Sequence, residues 1–245
     1  GTAEANSTVE LFEGATSLGT ATADGFGVWT LTTSSTLGDG VHSLTATATD
    51  VAGNTGVAST ALAVTIDATA PVATSTPDLD AASDTGVDTD NITSDDTPTV
   101  SGTAEANTTV ELFEGATSLG TASADGSGDW TITSSALSEG SHDLTSIATD
   151  TAGNASTVST ALTVTIDTSA PAAPSTPDLD VGSDSGSSST DDNTSDDTPT
   201  LSGTAEANST VELTSSVDGS VGSVAADGSG DWSITSIALT EGVHN

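Results

Sequence analysis

The stretch TTVELFEGATSLGTASADGSGDWTIT, residues 108–133, decides the fold class of this chain. Val110 and Leu112 alternate with polar residues at its start, and Trp130 and Ile132 do so at its end. Alternation with a period of two is typical of strands that bury one face. An Asp-Gly pair between the two parts supplies the positive φ that a tight reversal needs. The stretch therefore predicts short strands joined by turns.

This stretch belongs to a unit that recurs along the chain. GTAEAN begins at Gly1, Gly102 and Gly203, a period of 101 residues by subtraction, and residues 1–25 differ from 102–126 at only two positions. Such a period is too long for a solenoid unit and matches a small domain. Each unit holds about seven short alternating segments separated by turn residues, without a helical apolar stripe. We therefore predict an all-β chain of tandem immunoglobulin-like β-sandwich domains.

The charge composition limits the possible functions. The chain has no Lys, Arg or Cys, 36 Asp and Glu, three His and a formal net charge of −36. Nothing in it can neutralise phosphate, which argues against nucleic acid and anionic membrane surfaces as partners. No Cys, Lys, Arg or Tyr is present to act as a nucleophile or anion clamp, so we predict no enzymatic activity. Disulfides are also ruled out, which leaves a bound metal ion as the candidate for added stability.

The acids concentrate in two segments between the repeats. Sixteen of the 36 lie within 67–96 and 167–197, and all of them are Asp. Asp supplies the hard oxygen ligands that Ca2+ prefers. We therefore predict Asp-rich calcium-binding linkers, while a disordered acidic linker and a general adaptation to high salt stay open as alternatives. The predicted boundaries are 1–67 for an N-terminally incomplete first repeat, 68–97 for a linker, 98–167 for the second repeat, 168–198 for a linker and 199–245 for a C-terminally truncated third repeat.

Strand order predicts which acids can meet. In such a sandwich the turn between the last two strands, here 149–154, lies at the end where the chain enters, beside the incoming linker. The metal ligands predicted for the first junction are Asp67, Asp84, Asp90, Asp95 and Asp150, with Asp88, Asp96 and Asn154 as lesser candidates. The matching set at the next junction is Asp167, Asp184, Asp191 and Asp196, and Asp50 is assigned to a junction before Gly1.

The motifs also resemble a known family. The string SDTGVDTDNITSDDTPTVSGTAEANTTVELFEG (83–115), followed by DGSGDWTI, LSEGSHDLTSIATDTAGN and TVTIDTSAP, resembles the tandem bacterial Ig-like repeats of giant surface adhesins. These are the type I-secreted, RTX-type adhesins and biofilm-associated proteins of Gram-negative bacteria. The resemblance implies an extracellular extender segment at the cell surface, stiffened by Ca2+ at its domain junctions. It also implies that neighbouring repeats are the direct partners and that other regions bind the adhesive ligand, in support of cell adhesion and biofilm formation.

Two other functions stay open at this point. The sandwich loops could hold a carbohydrate or a protein directly, although the few aromatic residues fall in phase with the core. The chain could also be a spacer within a secreted polysaccharide-degrading enzyme. One His per repeat indicates a structural residue, since a zinc site needs several N or S ligands close together. No membrane-inserting segment or anchor is visible in the sequence.

Overall fold

The computed structural model describes residues 1–87, 89–188 and 191–245, and it is built of strands, turns and loops. The chain divides into two compact units, Gly1–Thr168 and Ser169–Asn245. The first unit contains the first and second repeats, and the second unit contains the third. Among the described residues, no helix has the length and apolar character needed to cross a membrane. The predicted all-β, Ig-like fold class is confirmed.

The first repeat forms one antiparallel sheet of four strands. These are β1 (Thr8–Glu13), β2 (Thr16–Thr22), β3 (Gly40–Thr49) and β4 (Leu62–Ile66), in the order β2-β1-β3-β4. In the described part of this repeat, a second sheet is represented by one isolated antiparallel bridge, between Thr2 and Val28. Val9 of β1 and Leu18 of β2 are the fully buried apolar side chains of this sheet.

The second repeat is a two-sheet sandwich. Its strands are β5 (Asp78–Leu79), β6 (Ile92–Thr93), β7 (Thr99–Thr103), β8 (Thr109–Glu114), β9 (Thr117–Ser123), β10 (Asp129–Thr133), β11 (Gly140–Thr149) and β12 (Leu162–Ile166). One sheet has the order β10-β7-β5 and the other the order β6-β12-β11-β8-β9. Buried residues from both sheets, including Val110, Leu112, Trp130, Leu144 and Val164, form one core. These residues stand at the alternating positions that predict the strands.

The Asp-rich segment before the second repeat takes part in that repeat. β5 pairs antiparallel with β7, and β6 pairs parallel with β12. Leu79 of β5 is buried in the core of the second repeat. The segment 68–97, which the sequence predicts to be a linker, therefore contains two strands of two residues each. Such strands are too short to show the alternation by which strands are recognised.

The third repeat forms the second unit. Its strands are β13 (Asp178–Leu179), β14 (Thr200–Thr204), β15 (Thr210–Ser215), β16 (Gly219–Ala225) and β17 (Asp231–Thr235). They form a sheet β13-β14-β17 and a hairpin β15-β16 around a core that contains Val211, Leu213 and Trp232. β13 pairs with β14 as β5 pairs with β7, so the segment assigned to the second linker, 168–198, also contributes a strand.

The glycine that opens the GTAEAN motif has a packing role. Gly102 lies opposite Trp130 on the paired strands β7 and β10. A Cβ atom on Gly102 would stand 2.6 Å from Cζ2 of Trp130 and 2.7 Å from Oγ of Ser75. The indole ring therefore lies directly against the backbone of residue 102. A side chain larger than hydrogen has no room there, which explains this glycine without any unusual backbone angle.

Candidate metal-binding site

The loop after β5 buries a carboxylate. The backbone N–H groups of Ser83 and Asp84 donate to the carbonyl of Asp80, at 2.7 and 2.9 Å, and this turn points the Asp84 side chain inward. Asp84 is only 6% exposed, and its Oδ1 has no hydrogen-bond partner among the described residues. Buried polar atoms in folded proteins almost always have a partner. Asp84 is therefore unusual among the ligands predicted for the first junction.

A second carboxylate ties this loop to the start of β7. Oδ2 of Asp95 accepts a hydrogen bond from Oγ of Ser83 at 2.9 Å, and its Oδ1 accepts one from the Thr97 amide at 3.0 Å. The Thr99 amide in turn donates to Oγ of Ser83 at 3.0 Å. Burial by itself would raise the pKa of Asp95, but the bonds from Thr97 and Ser83 outweigh it and lower the pKa below its ordinary value of 3.8. The lowered pKa favours the ionised form of Asp95, which hydrogen-bonds Ser83, the residue before Asp84.

The turn between β11 and β12 contacts the end of the first repeat. Oδ1 of Asp150 accepts from the amides of Ala152 and Asn154, and its Oδ2 accepts from Nδ2 of Asn154 at 2.8 Å. The same Nδ2 donates to the carbonyl of Asp67 at 3.0 Å. The side-chain bond from Asn154 is the largest cause of the lowered pKa of Asp150. The structure therefore brings Asp67, Asp150 and Asn154 together, as strand order predicts.

The corresponding turn of the first repeat has the same internal geometry. Oδ1 of Asp50 accepts from the amides of Ala52 and Asn54, and its Oδ2 accepts from Nδ2 of Asn54 at 2.8 Å. The side-chain bond from Asn54 is again the largest cause of the lowered pKa of Asp50. The Asp-x-x-x-Asn pattern therefore builds the turn itself in both repeats. A ligand role for Asp50 stays a prediction.

Among the described residues, the contacts of Asp90 and Asp96 are to the backbone of their own repeat. Asp90 uses Oδ1 to accept the Ile92 amide at 3.0 Å, and the carbonyl of Asp96 accepts the amide of Leu137 at 2.7 Å. Asp88 lies outside the described residues. Within the described part of the chain, no group of three or more His, Cys, Asp or Glu is placed to hold a metal ion. The calcium cage therefore stays a prediction.

The second Asp-rich segment repeats the geometry of the first. Asp184 is 7% exposed, and in the described chain its Oδ1 again has no hydrogen-bond partner. Oδ2 of Asp196 accepts from Oγ of Ser183 at 3.0 Å, as Asp95 does from Ser83. Asp191 accepts the Asn193 amide at 3.3 Å. Two segments of different length and sequence thus bury the same unpartnered oxygen.

Asp167, a ligand predicted for the second junction, lies in the unit Gly1–Thr168. It directly follows β12, and its amide donates to the carbonyl of Thr93 at 2.9 Å. Asp184, Asp191 and Asp196 lie in the unit that begins at Ser169. The ligand set predicted for the second junction stays a prediction.

The structure identifies supporting residues that sequence reasoning missed. Oγ1 of Thr93 donates to the carbonyl of Ser83 and also accepts the amide of Asp95 at 3.0 Å. Thr194 makes the same two contacts with Ser183 and Asp196. The signal is the sequence Thr-Ser-Asp-Asp-Thr-Pro, which begins at Thr93 and again at Thr194. Ser and Thr residues between acids are also typical of flexible linkers, so the sequence alone does not indicate that these hydroxyl groups hold the loop together.

The donor atoms of this region suit a hard cation. The loop offers the carboxylates of Asp84, Asp90 and Asp95 and the hydroxyl group of Ser83, and Ca2+ takes roughly six to eight oxygen ligands in flexible geometry. The buried Oδ1 of Asp84 also lacks a partner in the described chain, which a bound cation would supply. The residues present therefore fit a calcium ion in chemistry.

Comparisons with known proteins place the chain in a family. A family model described as "Bacterial Ig-like domain" matches residues 1–68, 71–168 and 171–245. No curated protein matches the chain. A solved Ca2+-stabilised adhesin, which helps an Antarctic bacterium to bind ice, is 26% identical over 96% of this chain and 57% of that one, with a TM-score of 0.40. This chain thus spans little more than half of that adhesin.

Two further solved structures are less similar in sequence. The fibronectin(III)-like modules of CbhA from Clostridium thermocellum are 18% identical over 66% of this chain and 79% of that one, with a TM-score of 0.40. A 1.5-MDa bacterial ice-binding adhesin is 19% identical over 95% of this chain and 75% of that one, with a TM-score of 0.33. The family model matches nearly the whole chain in three consecutive segments, and the boundaries 71–168 enclose β5 to β12. The chain therefore belongs to the bacterial Ig-like domain family.

Proposed function

We propose that this chain is an extender segment of a secreted, RTX-type bacterial surface adhesin, and that Ca2+ bound by its Asp-rich loops stiffens it. It acts as a spacer that holds an adhesive region away from the cell, in support of adhesion and biofilm formation. It has no catalytic role in this proposal, its direct partners are its own neighbouring repeats, and the adhesive ligand binds elsewhere in the protein. Tandem repetition of one small sandwich supports a spacer, because repetition adds length without adding a new site.

The unpartnered oxygens of Asp84 and Asp184 carry the calcium part of the proposal. Leaving a buried polar atom without a partner costs about 1–3 kcal/mol, and more for a charged group. The chain contains no Lys or Arg that could supply a counter-ion. The same buried, unpartnered carboxylate oxygen occurs in both segments. This recurrence supports the view that the oxygen binds a partner from solution. A divalent cation is such a partner.

Calcium would act at two places in the first unit. Asp84, with Asp90 and Asp95 on the same loop, would hold an ion that neutralises the carboxylates and ties the loop to the sandwich. Asp67 and Asp150 would supply oxygens where the first repeat ends. An ion that binds only the folded form stabilises it by about 2.7 kcal/mol at a hundred times its Kd. The proposal therefore predicts a large calcium dependence of stability.

Thermal unfolding of the full chain in EDTA, Ca2+ and Mg2+ tests this proposal. The double variant Asp84→Asn with Asp184→Asn removes both buried carboxylates, and Asp129→Asn with Asp231→Asn removes the same charge from exposed equivalent positions. We expect Ca2+ to raise Tm in the parent and in the exposed-site control, with a smaller effect of Mg2+ because of its strict octahedral demand. The buried-site variant should lose most of the rise.

The result has two clear contrary outcomes. A Tm in the parent that is the same in EDTA and in millimolar Ca2+ overturns the calcium proposal and favours adaptation to salt. An equal rise in the buried-site variant shows that Asp84 and Asp184 are not the ligands. Small-angle scattering tests the spacer role independently: the maximum dimension of the parent should be larger or better defined in Ca2+ than in EDTA.

A further inference from the structure

The chain carries six copies of a triplet that can accept a sugar. In Asn-x-Ser/Thr, the side-chain amide of Asn is the acceptor of N-linked sugars, which lie on surface loops of exported proteins. The six Asn residues are Asn6, Asn91, Asn107, Asn154, Asn193 and Asn208. Because the chain is rich in Ser and Thr, some of these triplets arise by composition alone. The fold decides which of them a glycosyltransferase can reach.

Three of the six triplets lie in the same turn of the three repeats. In the second repeat this turn joins β7 to β8, and the amide of Thr108 donates to the carbonyl of Glu105 at 3.2 Å. Asn107 is the third residue of the turn and has a φ of 66°. A positive φ at this place favours Gly or Asn. The equivalent residues Asn6 and Asn208 both have a φ of 65°, so the three turns hold their Asn in the same backbone conformation.

The turn of the second repeat presents both groups of the triplet that a transferase recognises. Asn107 is exposed, and its side chain makes no hydrogen bond within the described part of the chain. Thr109 is exposed too, and the same holds for its hydroxyl group. Thr108 between them is 2% exposed, and its hydroxyl group donates to the carbonyl of Glu105 at 2.7 Å. The middle residue therefore anchors the triplet, while the acceptor amide and the hydroxyl group after it stay accessible.

The same arrangement occurs in the first and third repeats. Ser7 is 2% exposed, and its Oγ donates to the carbonyl of Glu4 at 2.6 Å. Oγ of Ser209 makes the equivalent bond to the carbonyl of Glu206 at 2.7 Å. The acceptor and hydroxyl residues of both turns are exposed, namely Asn6, Thr8, Asn208 and Thr210. Each repeat thus offers one triplet in the same accessible form.

Two of the other triplets are built into the fold. In the triplet of Asn91, the hydroxyl residue Thr93 is 1% exposed, and its Oγ1 holds the Asp-rich loop together. In the triplet of Asn154, Oγ of Ser156 accepts the amide of Ala148 at 3.0 Å. Nδ2 of Asn154 is itself the donor of two hydrogen bonds. A transferase reaches these groups only when the fold opens.

The triplet of Asn193 is accessible but has its hydroxyl group engaged. Asn193 and Ser195 are both exposed. Oγ of Ser195 hydrogen-bonds Oγ of Ser185 at 3.0 Å, and this contact belongs to the second Asp-rich segment. An exposed acceptor together with a free hydroxyl group therefore distinguishes the three turn triplets from the other three.

We propose that Asn6, Asn107 and Asn208 are acceptor sites for an N-linked sugar, which a glycosyltransferase of the producing cell transfers from a nucleotide-activated hexose. Nδ2 of each Asn bonds to C1 of the hexose. The bond between C1 and the diphosphate oxygen breaks, and the nucleoside diphosphate leaves with the electron pair. The amide loses one proton to a base of the transferase. These sites do not depend on the calcium ions proposed above, because no proposed ligand lies in the three triplets.

The sugars of the first two repeats stand at equivalent ends of their sheets. Thr109 pairs with Thr149, so the turn of Asn107 lies at the same end as the turn 149–154. Thr8 pairs with Thr49 in the first repeat in the same way. A neutral hexose at this end adds a hydrated surface without adding to the net charge of −36.

Mass spectrometry of the full chain isolated from the producing bacterium tests the proposal. Glycopeptide mapping should place one hexose on each of the three turn residues, Asn6, Asn107 and Asn208. Asn107→Gly is the matched variant, because Gly adopts the positive φ of the turn without strain but has no amide side chain. It should lose one hexose and keep the Tm of the parent. Thr109→Val should lose the same hexose, because it removes the hydroxyl group and keeps a β-branched residue in the strand.

Transfer in vitro separates the effect of the fold from that of the sequence. With UDP-glucose and a purified bacterial N-glycosyltransferase, synthetic peptides of residues 104–112 and 151–159 should both accept hexose. In the folded chain, Asn107 should accept it and Asn154 should not.

Three results would overturn the proposal. The first is a chain from the producing cell that carries no sugar on Asn107, and the second is equal occupancy of Asn107 and Asn154. The third is a folded chain in which Asn107 stays unmodified under conditions that modify the peptide 104–112. Failure of that peptide as an acceptor would count equally against the proposal, because the triplet would then not be recognised even without the fold.

Discussion

Replacing Gly102 by Ala tests the packing of Trp130 at the centre of the second repeat. The new Cβ would stand 2.6 Å from Cζ2 and 2.9 Å from Cε2 of Trp130, and 2.7 Å from Oγ of Ser75. Carbon atoms in ordinary contact are about 3.5–4.0 Å apart. The ring must therefore move by roughly 1 Å. Trp130 is 2% exposed and packed in the core, so its neighbours resist that movement.

The expected magnitude is the difference between two terms. Forcing an extra methyl group into a packed core costs about 1–3 kcal/mol. Replacing Gly by Ala in an unstrained backbone gives back about 0.4–1 kcal/mol by reducing the entropy of the unfolded chain. The net loss of unfolding free energy is about 1–2 kcal/mol. For a domain of this size that corresponds to a fall in Tm of roughly 5–10 °C.

Hydrogen exchange in increasing urea measures the loss for the second repeat alone. The midpoint for amides in 140–149 should fall in Gly102→Ala, while the midpoint for amides in 231–235 of the third repeat should stay unchanged. Gly126→Ala is the matched control, because a Cβ there meets nothing within 4 Å. Equal midpoints for Gly102→Ala and Gly126→Ala would refute the view that residue 102 is glycine because Trp130 lies against it.

Two further predictions concern hydrogen bonds at the ends of strands. Nδ1 of His142 lies 2.7 Å from Oε1 of Glu114, and Nε2 lies 2.8 Å from the carbonyl of Ser138. Burial lowers the pKa of His142, but these two bonds outweigh it and raise the pKa above 6.5. The stabilisation is therefore fully present below about pH 6.5 and is lost as the pH rises through the raised pKa. His142→Gln should reduce stability by about 0.5 kcal/mol at pH 5.5, as solvent-screened pairs do, and by less at pH 8.5 in urea unfolding. Asn154→Ala removes the bond to the carbonyl of Asp67 and should raise amide exchange in 67–70 with a loss of about 0.5–1.5 kcal/mol.

Each of these predictions has its own control. For His142, a pH-independent difference between the parent and the Gln variant would mean that the imidazole acts only through its shape. For Asn154, the equivalent Asn54→Ala makes the same change in the first repeat, where the turn has the same internal bonds. Exchange in 67–70 that responds equally to both substitutions would contradict a specific contact between Asn154 and Asp67.

Alternation predicted the strands that are long enough to show it. Val110 and Leu112 mark β8, Trp130 and Ile132 mark β10, and all four are buried as their phase requires. β5 and β6 contain two residues each, so no periodic signal exists for them. Pairing with β7 and β12 stabilises these two strands, and a short window of sequence does not show which distant strands will pair.

Only part of the candidate site could be predicted from the sequence. Strand order placed the turn at Asp150 beside Asp67, and the structure shows Asn154 in contact with Asp67. The burial of Asp84 could not be predicted, because Asp is among the residues that are almost never fully buried unless paired. The exposure of Leu62 could not be predicted from the local sequence either, because Leu162 has the same local sequence pattern and is buried.

The parallel pairing of β6 with β12 has a mechanical consequence. A pull on residues 71 and 168 in opposite directions draws β6 and β12 along their length in opposite senses, so their hydrogen bonds are loaded in shear. β5 and β6 pair through two residues each, whereas β8 and β11 pair through six. The segment 71–98 therefore detaches first and releases up to about 100 Å of extended chain, at roughly 3.3–3.6 Å per residue. The repeat lengthens by this contour length minus the distance that the segment spans when folded, while β8, β9, β11 and β12 stay paired.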